Sequence, residues 1–413
     1  MKISRADLRL RLAPILLAQA LGLACGIAGV RLASHWVAPA DYGRYGVFVS
    51  LAPLGLGVVF AGVLKFVGRR WAGAGDRAAL LRGVLAAIRK KTPWLAAAVA
   101  VAAVVAAPDG PVVFGTLLLV AALLLTLGQL AQIALQAERA HWPDFAIAGT
   151  AALTRSFLPP LAYAVWGASL VSLLAGFSLH AAVVATTGLA LLRLRRTAPA
   201  GTTEIAPGQE YEGSLFISLA VAGWIVAGFN RWAAAWFFGA EQAGYFTLAA
   251  NIAVIPPSLL GGVVLQYFQP VWFATSPQYA DARLRLARDV DRIAAGYTLA
   301  ALALAVALHA VMPWLIGPLV SERYAPAAKF VLGAACFMTA VSIGQLYHTL
   351  LIAGDRPAAC GPVDLSGAGC LLAGGLVSAA CGPEWFVRWL CFSPAVPWLV
   401  NRPLARRLLA ANR

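Results

Sequence analysis

The charged side chains that lie inside apolar segments are the residues of this chain best suited to chemistry. Arg31, Arg155 and Arg231 each lie within a long apolar stretch, and Lys65 lies near the end of another. A charge at the centre of a membrane helix costs about 2.5–3.5 kcal/mol on insertion scales, so it is usually kept where it faces water, a partner or a ligand. Arginine forks match phosphate oxygens. The four cations therefore predict an anion-binding site, with snorkelling of Arg31, Arg231 and Lys65 to the nearest interface as the alternative.

Asp364 is the acidic residue that lies well inside a predicted apolar span, in the string PVDLS of residues 362–366. A carboxylate within a membrane can bind H+ or Na+ and couple the movement of that ion to transport. It can equally pair with one of the arginines and serve only as a structural contact. The sequence leaves both interpretations open.

The composition of the chain indicates a membrane protein. Hydrophobic residues make up 61% of the 413 residues and charged residues only 12%, against about 25% charged residues in soluble domains. The apolar residues form blocks of about twenty, the length that crosses the hydrocarbon core as a helix. These blocks are continuous runs of Ala, Leu and Val, without the alternation that the wall of a β-barrel requires.

Twelve apolar spans can be drawn, and the charges between them orient the chain. Basic residues concentrate at every second junction, with the largest polar segments at about 68–91, 193–213 and 273–292. This is the positive-inside pattern, and it predicts that both termini are cytoplasmic. It also accounts for the net charge of +15, so that no nucleic-acid partner is predicted. The spans are 12–35, 44–67, 92–108, 111–136, 145–166, 169–192, 214–237, 246–272, 293–317, 327–352, 358–380 and 385–401.

Two stretches about half the chain apart are similar to each other. Residues 39–45 (PADYGRY) and 240–246 (AEQAGYF) each follow an apolar segment that carries one arginine, Arg31 in the first and Arg231 in the second. Repeated halves are typical of transporters that hold their substrate site between the halves. If a pseudo-twofold axis relates them, Arg31 and Arg231 face each other across the cleft.

The sequence therefore predicts an all-α membrane protein with about twelve transmembrane helices, arranged as two pseudo-symmetric six-helix bundles around a central cavity. The predicted parts are an N-terminal bundle at 1–192, a cytoplasmic linker at 193–213 and a C-terminal bundle at 214–413. The basic N-terminus is followed by no small-residue cleavage site, so the first apolar segment is predicted to be a retained helix.

Motifs for enzymatic chemistry are absent from the sequence. The six cysteines form no CxxC pair, and there is no HExxH string and no phosphate-binding Walker loop. We therefore predict no catalytic residue, no metal site and no cofactor.

Several strings of the chain resemble bacterial polysaccharide flippases of the Wzx type, within the multidrug/oligosaccharidyl-lipid/polysaccharide exporter superfamily. The likeness is diffuse and covers most of the chain. The strings that carry it are ADYGRYGV at 40–47, AGYFTLA at 243–249, QP at 269–270, IGP at 316–318, and ERY followed by APAA at 322–328. Lipid II flippases of the same superfamily typically have two further helices, for which this chain has no room.

The resemblance implies a function and a set of partners. It implies a V of two bundles in the bacterial inner membrane that flips undecaprenyl-pyrophosphate-linked oligosaccharide to the periplasmic leaflet. Expected partners are this lipid, membrane lipids, a polysaccharide polymerase, chain-length proteins and a coupling ion, Na+ or H+. The alternatives are a cation-coupled small-molecule exporter of the same superfamily, in which acids would be expected to outnumber arginines in the cavity, and a multispan enzyme of polysaccharide assembly.

Overall fold

A computed structural model describes residues 5–71, 74, 76–138, 140–193, 214–274, 280–354 and 356–410, some of them without their side chains. These residues are almost entirely helical, and no strand occurs among them apart from an isolated bridge between Ile316 and Val320. The all-α class predicted from the sequence is confirmed.

Among the described residues, seven helices precede the predicted linker. A short π-helical segment, Gly55–Val59, separates the second from the third. The helices are α1 (Arg5–Trp36), α2 (Pro39–Leu51), α3 (Ala61–Arg70), α4 (Arg77–Ala106), α5 (Pro111–Ala137), α6 (His141–Val165) and α7 (Leu170–Arg193).

Seven further helices follow the linker in the part of the chain that the structure describes. A 3₁₀ segment, Glu322–Ala327, leads into α11, and a π-helical segment, Pro397–Asn401, leads into α14. The helices are α8 (Ser214–Ala253), α9 (Ile255–Ala274), α10 (Ala280–Leu315), α11 (Ala328–Ala353), α12 (Cys360–Ala380), α13 (Pro383–Phe392) and α14 (Arg402–Ala410).

The chain is a multi-pass membrane protein. Eight helical stretches among the described residues are long and apolar enough to cross a bilayer. All twelve predicted spans overlap helices, but those at 92–108, 145–166 and 385–401 lie outside these eight stretches, and the seventh and eighth spans meet in one stretch, Gly228–Gly262. The last predicted span is not among these stretches because its helix, α13, has only 10 residues before a turn in the chain.

The described chain divides into two compact units. The first comprises residues 1–37 and 47–220, and the second comprises residues 38–46 and 221–413. The first turns of α2, which the sequence assigned to the N-terminal bundle, therefore pack within the second unit. The predicted linker lies outside the described residues from residue 194 onwards.

Within the second unit, the two copies of the repeated string pack against each other. A Cβ atom added at Gly43 would collide with the carbonyl oxygen of Ala240, and one added at Gly244 would collide with the carbonyl oxygen of Pro39. These four residues are equivalent in pairs, 43 with 244 and 39 with 240, so the contact is reciprocal. Glycine is required at both positions because the obstacle is backbone, which cannot rotate away.

Both copies also interrupt their helix at proline. In the first copy α2 ends at Leu51, just before Pro53, and in the second α8 ends at Ala253, just before Pro256 and Pro257. Proline removes a backbone hydrogen bond and clashes with the preceding turn. Within α8, Gly239 adopts a φ of 85°, a conformation that favours glycine, and it divides this long helix into two segments.

The first unit is closely packed through small residues. Gly128 of α5 contacts Val184 of α7, and Gly176 of α7 contacts the backbone of Pro159 in α6. Phe48 packs edge-on against Phe114 and Phe177, with ring centroids 5.2 and 5.8 Å away. Small residues let membrane helices approach closely where no hydrophobic effect drives them together.

The reciprocal glycine contact predicts a strong dependence of stability on two small side chains. Gly43→Ala should destabilise the protein by at least about 2 kcal/mol, because the new methyl group overlaps backbone atoms. Gly296→Ala is the matched control, since a Cβ at Gly296 meets nothing within 4 Å. Thermal unfolding of the purified variants measures the difference, and equal melting temperatures for the two would contradict the contact.

Candidate functional site

Two of the predicted cations lie at one helix crossing in the first unit. Arg31 of α1 and Arg155 of α6 are both exposed. The two helices meet where Gly29 packs on Ser156, whose Cβ would lie 2.8 Å from a Cβ added at Gly29. Arg31 follows Gly29 by two positions, and Arg155 precedes Ser156 by one. The structure therefore places them at the same level of two neighbouring helices.

A satisfied polar pair lies beside Arg155. The hydroxyl of Thr154 and Nδ1 of His180 are 2.7 Å apart. His180 is buried, at 3% exposure, so this histidine packs in the core with a hydrogen-bond partner.

Lys65, the fourth predicted cation, lies on α3, but its side chain is outside the described residues. Its proposed part in an anion site therefore stays a prediction.

Arg231 is the cation with the most informative surroundings. Its guanidinium donates to the side-chain oxygen of Asn251 at 3.3 Å, and the Asn251 amide donates to the hydroxyl of Tyr42 at 2.9 Å. Arg231 and Asn251 are half-buried and Tyr42 is buried. An amide orients a guanidinium through its oxygen without adding a negative charge. The three side chains form a chain of hydrogen bonds that joins the two copies of the repeat.

An aromatic cluster holds this chain of hydrogen bonds in place. Tyr42 and Tyr245 both pack edge-on against Tyr324, with ring centroids 6.2 and 5.9 Å away, and Tyr42 stacks on Tyr45. Tyr324 is completely buried. Because ring packing restrains orientation, Tyr45 and Tyr324 keep the Tyr42 hydroxyl directed at Asn251, and Tyr245 of the second copy packs on Tyr324 in turn.

The arrangement of Arg31 opposite Arg231 stays a prediction. Arg31 belongs to the first unit and Arg231 to the second. Their surroundings differ within their own units, since Arg31 is exposed and Arg231 is half-buried. The position equivalent to Asn251 in the first copy is Ser50, whose hydroxyl donates to the carbonyl oxygen of Val47 at 2.6 Å.

Asp364 pairs with a histidine. Its Oδ2 lies 2.8 Å from Nδ1 of His348 on α11, and the side chains are 17% and 26% exposed. The thiol of Cys360 donates to the carbonyl oxygen of His348 at 3.7 Å. A partly buried carboxylate is stabilised by a hydrogen-bond partner. An imidazole partner can take up or release a proton, which an arginine cannot. The arrangement is therefore chemically able to exchange a proton.

Sequence reasoning identified the charges of these sites but not their partners. Nothing in the sequence indicated Asn251 or His348 as these partners, and nothing singled out Tyr42 as a hydrogen-bond partner of Asn251, which lies 209 positions away. The position of Tyr42 inside the repeated string was the one available signal. Among the described residues, no three His, Cys, Asp or Glu side chains come together in a way that could hold a metal ion.

Comparison with known proteins shows the fold. No family model and no curated protein sequence matches this chain. A solved structure titled "Lipid II flippase MurJ, inward closed conformation" is similar over 96% of this chain and 86% of that chain, with a TM-score of 0.53 and 12% sequence identity. At that identity the likeness extends to the fold alone, and the chain has the helical fold of that flippase.

The contact between the copies of the repeat can be tested through Tyr42. Tyr42→Phe should destabilise the protein by about 1 kcal/mol, because the Asn251 amide loses its acceptor. Asn251→Ala should cost a similar amount, and the double variant should cost less than the sum. A double-mutant cycle on thermal unfolding measures this coupling, and strictly additive effects would show that the hydrogen bond contributes nothing.

Proposed function

We propose that this protein is a flippase that moves undecaprenyl-pyrophosphate-linked oligosaccharide from the cytoplasmic to the periplasmic leaflet of a bacterial inner membrane by alternating access. The observation that carries the proposal is a set of cations within apolar helices on a fold similar to that of a lipid II flippase. A pyrophosphate-linked lipid is the membrane substrate whose charge such cations fit.

The proposed anion site uses Arg31, Arg155 and Arg231, with Lys65 as a fourth contributor. Arg31 and Arg155 are exposed near one helix crossing, and the proposal is that the head group binds both of them. Arg231 is oriented by Asn251. A pyrophosphate offers several oxygens to planar guanidinium forks, and such charge-assisted hydrogen bonds are roughly twice as strong as neutral ones. The oligosaccharide adds hydroxyl groups but little charge, so the head group dominates recognition.

Transport by this protein is proposed to run on an ion gradient, with Asp364 as the coupling residue. The sequence holds no Walker loop that would supply ATP chemistry. The pairing of Asp364 with His348 favours H+ over Na+ as the coupling ion, because the pair presents a nitrogen where a sodium site would gather oxygen ligands. A cation-coupled small-molecule exporter shares this feature and is the second candidate. A polysaccharide polymerase and chain-length proteins are the proposed partners.

The flippase proposal predicts a specific loss of transport from the arginines. Arg155→Ala, and Arg31→Ala combined with Arg231→Ala, should abolish surface polysaccharide while protein levels stay unchanged, because the head group loses its counter-charges. Cells without the protein should accumulate lipid-linked repeat units in the inner leaflet. Lipid extraction with leaflet-specific labelling, together with immunoblotting of surface polysaccharide, measures both effects.

Arg388→Gln is the matched control for the arginine variants. Arg388 also belongs to an apolar predicted span, but it packs on the ring of Trp385, 5.1 Å from the ring centroid, and is exposed. It should retain full transport. Normal delivery of repeat units to the periplasm in cells that lack the protein would refute the flippase. Full activity of the Arg31, Arg155 and Arg231 variants would remove only these residues from the site.

The coupling proposal predicts that transport depends on the His348–Asp364 pair. His348→Gln and Asp364→Asn should each lower proton-driven transport in proteoliposomes by about tenfold or more, because each variant removes one of the two protonatable groups of the pair. Asp289→Asn is the control, since Asp289 is exposed on α10 and pairs with Arg292 at 3.5 Å. Transport that follows a sodium gradient but not a pH gradient would contradict a proton site.

A further inference from the structure

A buried carboxylate in the second unit holds two arginines of the C-terminal helix. Asp291 of α10 is 8% exposed. Its Oδ1 accepts a hydrogen bond from the hydroxyl of Tyr347 at 2.9 Å, and its Oδ2 accepts one from Nε of Arg402 at 3.1 Å and another from Arg406. The contact fixes α14 against α10 and α11. Ala405 and Leu409, buried at 0% and 1% exposure, complete the docked face of α14.

This cluster carries more positive charge than its carboxylate can balance. One carboxylate neutralises one guanidinium, yet Arg402 and Arg406 both bind Asp291. Arg288 lies one turn before Asp291 on α10 and Arg407 follows Arg406 on α14, and both are exposed. The neighbouring Asp289 pairs with Arg292. The face formed by Arg288, Arg402, Arg406 and Arg407, which we call the α14 basic face, therefore keeps an excess of positive charge.

Two arginines of this face, Arg402 and Arg406, are held in place but remain accessible. Only Nε of Arg402 is engaged by Asp291, and its guanidinium packs on the ring of Trp398, 5.4 Å from the centroid. The side chains of Arg402 and Arg406 are 38% and 40% exposed. Guanidinium groups that are already oriented lose less entropy when they bind an anion.

The α14 basic face lies at the depth of lipid head groups. Helix α10 has 36 residues and is therefore about 54 Å long, whereas the hydrocarbon core is about 30 Å thick. The apolar part of α10 begins after Arg292, so that Asp291 lies at the start of the predicted span 293–317. Arg402 follows the end of the predicted span 385–401. Trp398 beside it is the residue type that prefers this interface.

We propose that the α14 basic face binds the phosphate of an anionic phospholipid in the leaflet that it faces. Half-exposed Leu404 and Leu408 on α14 supply apolar contact for the acyl chains. Basic residues near an anionic membrane surface each contribute about 1 kcal/mol of attraction, a factor of about five in affinity. The lipid anion would complete the charge balance around Asp291 and so strengthen the docking of α14. This site is independent of the flippase proposal.

The test uses the full-length chain in detergent, titrated with phosphatidylglycerol and, separately, with phosphatidylcholine. Phosphatidylglycerol should raise the melting temperature of the wild type, and phosphatidylcholine should not. Arg288→Gln combined with Arg407→Gln leaves the contacts of Asp291 intact, so its melting temperature without added lipid should match the wild type. Its apparent affinity for phosphatidylglycerol should fall about thirtyfold, since two of the basic contacts are lost. Arg402 and Arg406 are left unchanged, because removing either would break a contact of the buried carboxylate and weaken the docking of α14.

Two controls separate a specific lipid site from other causes. Arg89→Gln combined with Lys90→Gln removes the same number of exposed charges from α4 in the first unit, and it should leave the affinity unchanged. An equal loss in that variant would show a general electrostatic effect and overturn the proposal. Inorganic phosphate at the same concentration should not stabilise the protein, and stabilisation equal to that by phosphatidylglycerol would overturn the assignment to a lipid.

Discussion

The reciprocal contact between Gly43 and Gly244 is the constraint on which the surroundings of Arg231 in the second unit depend. Each glycine lets a carbonyl oxygen of the other copy approach to a distance that a methyl group would forbid. This close approach brings the first turns of α2 against α8, where Tyr42 meets Asn251 and Asn251 meets Arg231. The orientation of a candidate functional cation thus follows from two residues that have no functional groups.

The chain uses different partners for charges outside the predicted apolar spans and for charges within them. Outside the spans, carboxylates bind cations directly: Glu138 pairs with Arg77 at 2.9 Å and accepts a hydrogen bond from Trp71, and Asp291 holds two arginines. Within the apolar helices, the described contacts are of another kind, an amide on Arg231 and an imidazole on Asp364. Strong ion pairs fix helices together, whereas an amide or an imidazole leaves charge or proton exchange available to a ligand. The choice of partner therefore separates structural charges from candidate functional ones.

The sequence predicted the helices well because transmembrane helices are determined mainly by local hydrophobicity. All twelve predicted spans overlap helices, and the strings PADYGRY and AEQAGYF, recognised as copies, do pack on each other. Boundaries were less accurate: the basic segment before Lys90 belongs to α4, which continues from Arg77 to Ala106 in spite of Pro93.

The partners of the charged residues could not be predicted, because they depend on tertiary packing. Asp364 pairs with His348, 16 positions earlier on another helix, whereas the sequence analysis offered an arginine or a coupling ion. Asp291 lies just outside a predicted span, among several arginines, and its role was not predicted. In the structure, residues 287, 290 and 294 are buried on the same side of α10 as Asp291. The assignment of residues 38–46 to the second unit was also beyond prediction, since only the fold shows which neighbours a segment finds.

The positions next to the glycine pair hold different residues in the two copies of the repeat. Gly46 and Thr247 are equivalent positions of the two copies, and they contact each other. In a symmetric dimer of identical half-length chains, a residue at this point would meet its own copy, so that two threonines would collide and two glycines would leave a gap. A threonine in one copy and a glycine in the other fill the space between the two positions without a collision. A single chain, in which the two copies differ in sequence, can hold that combination, so it permits a closer fit at this point than a symmetric dimer of identical halves would.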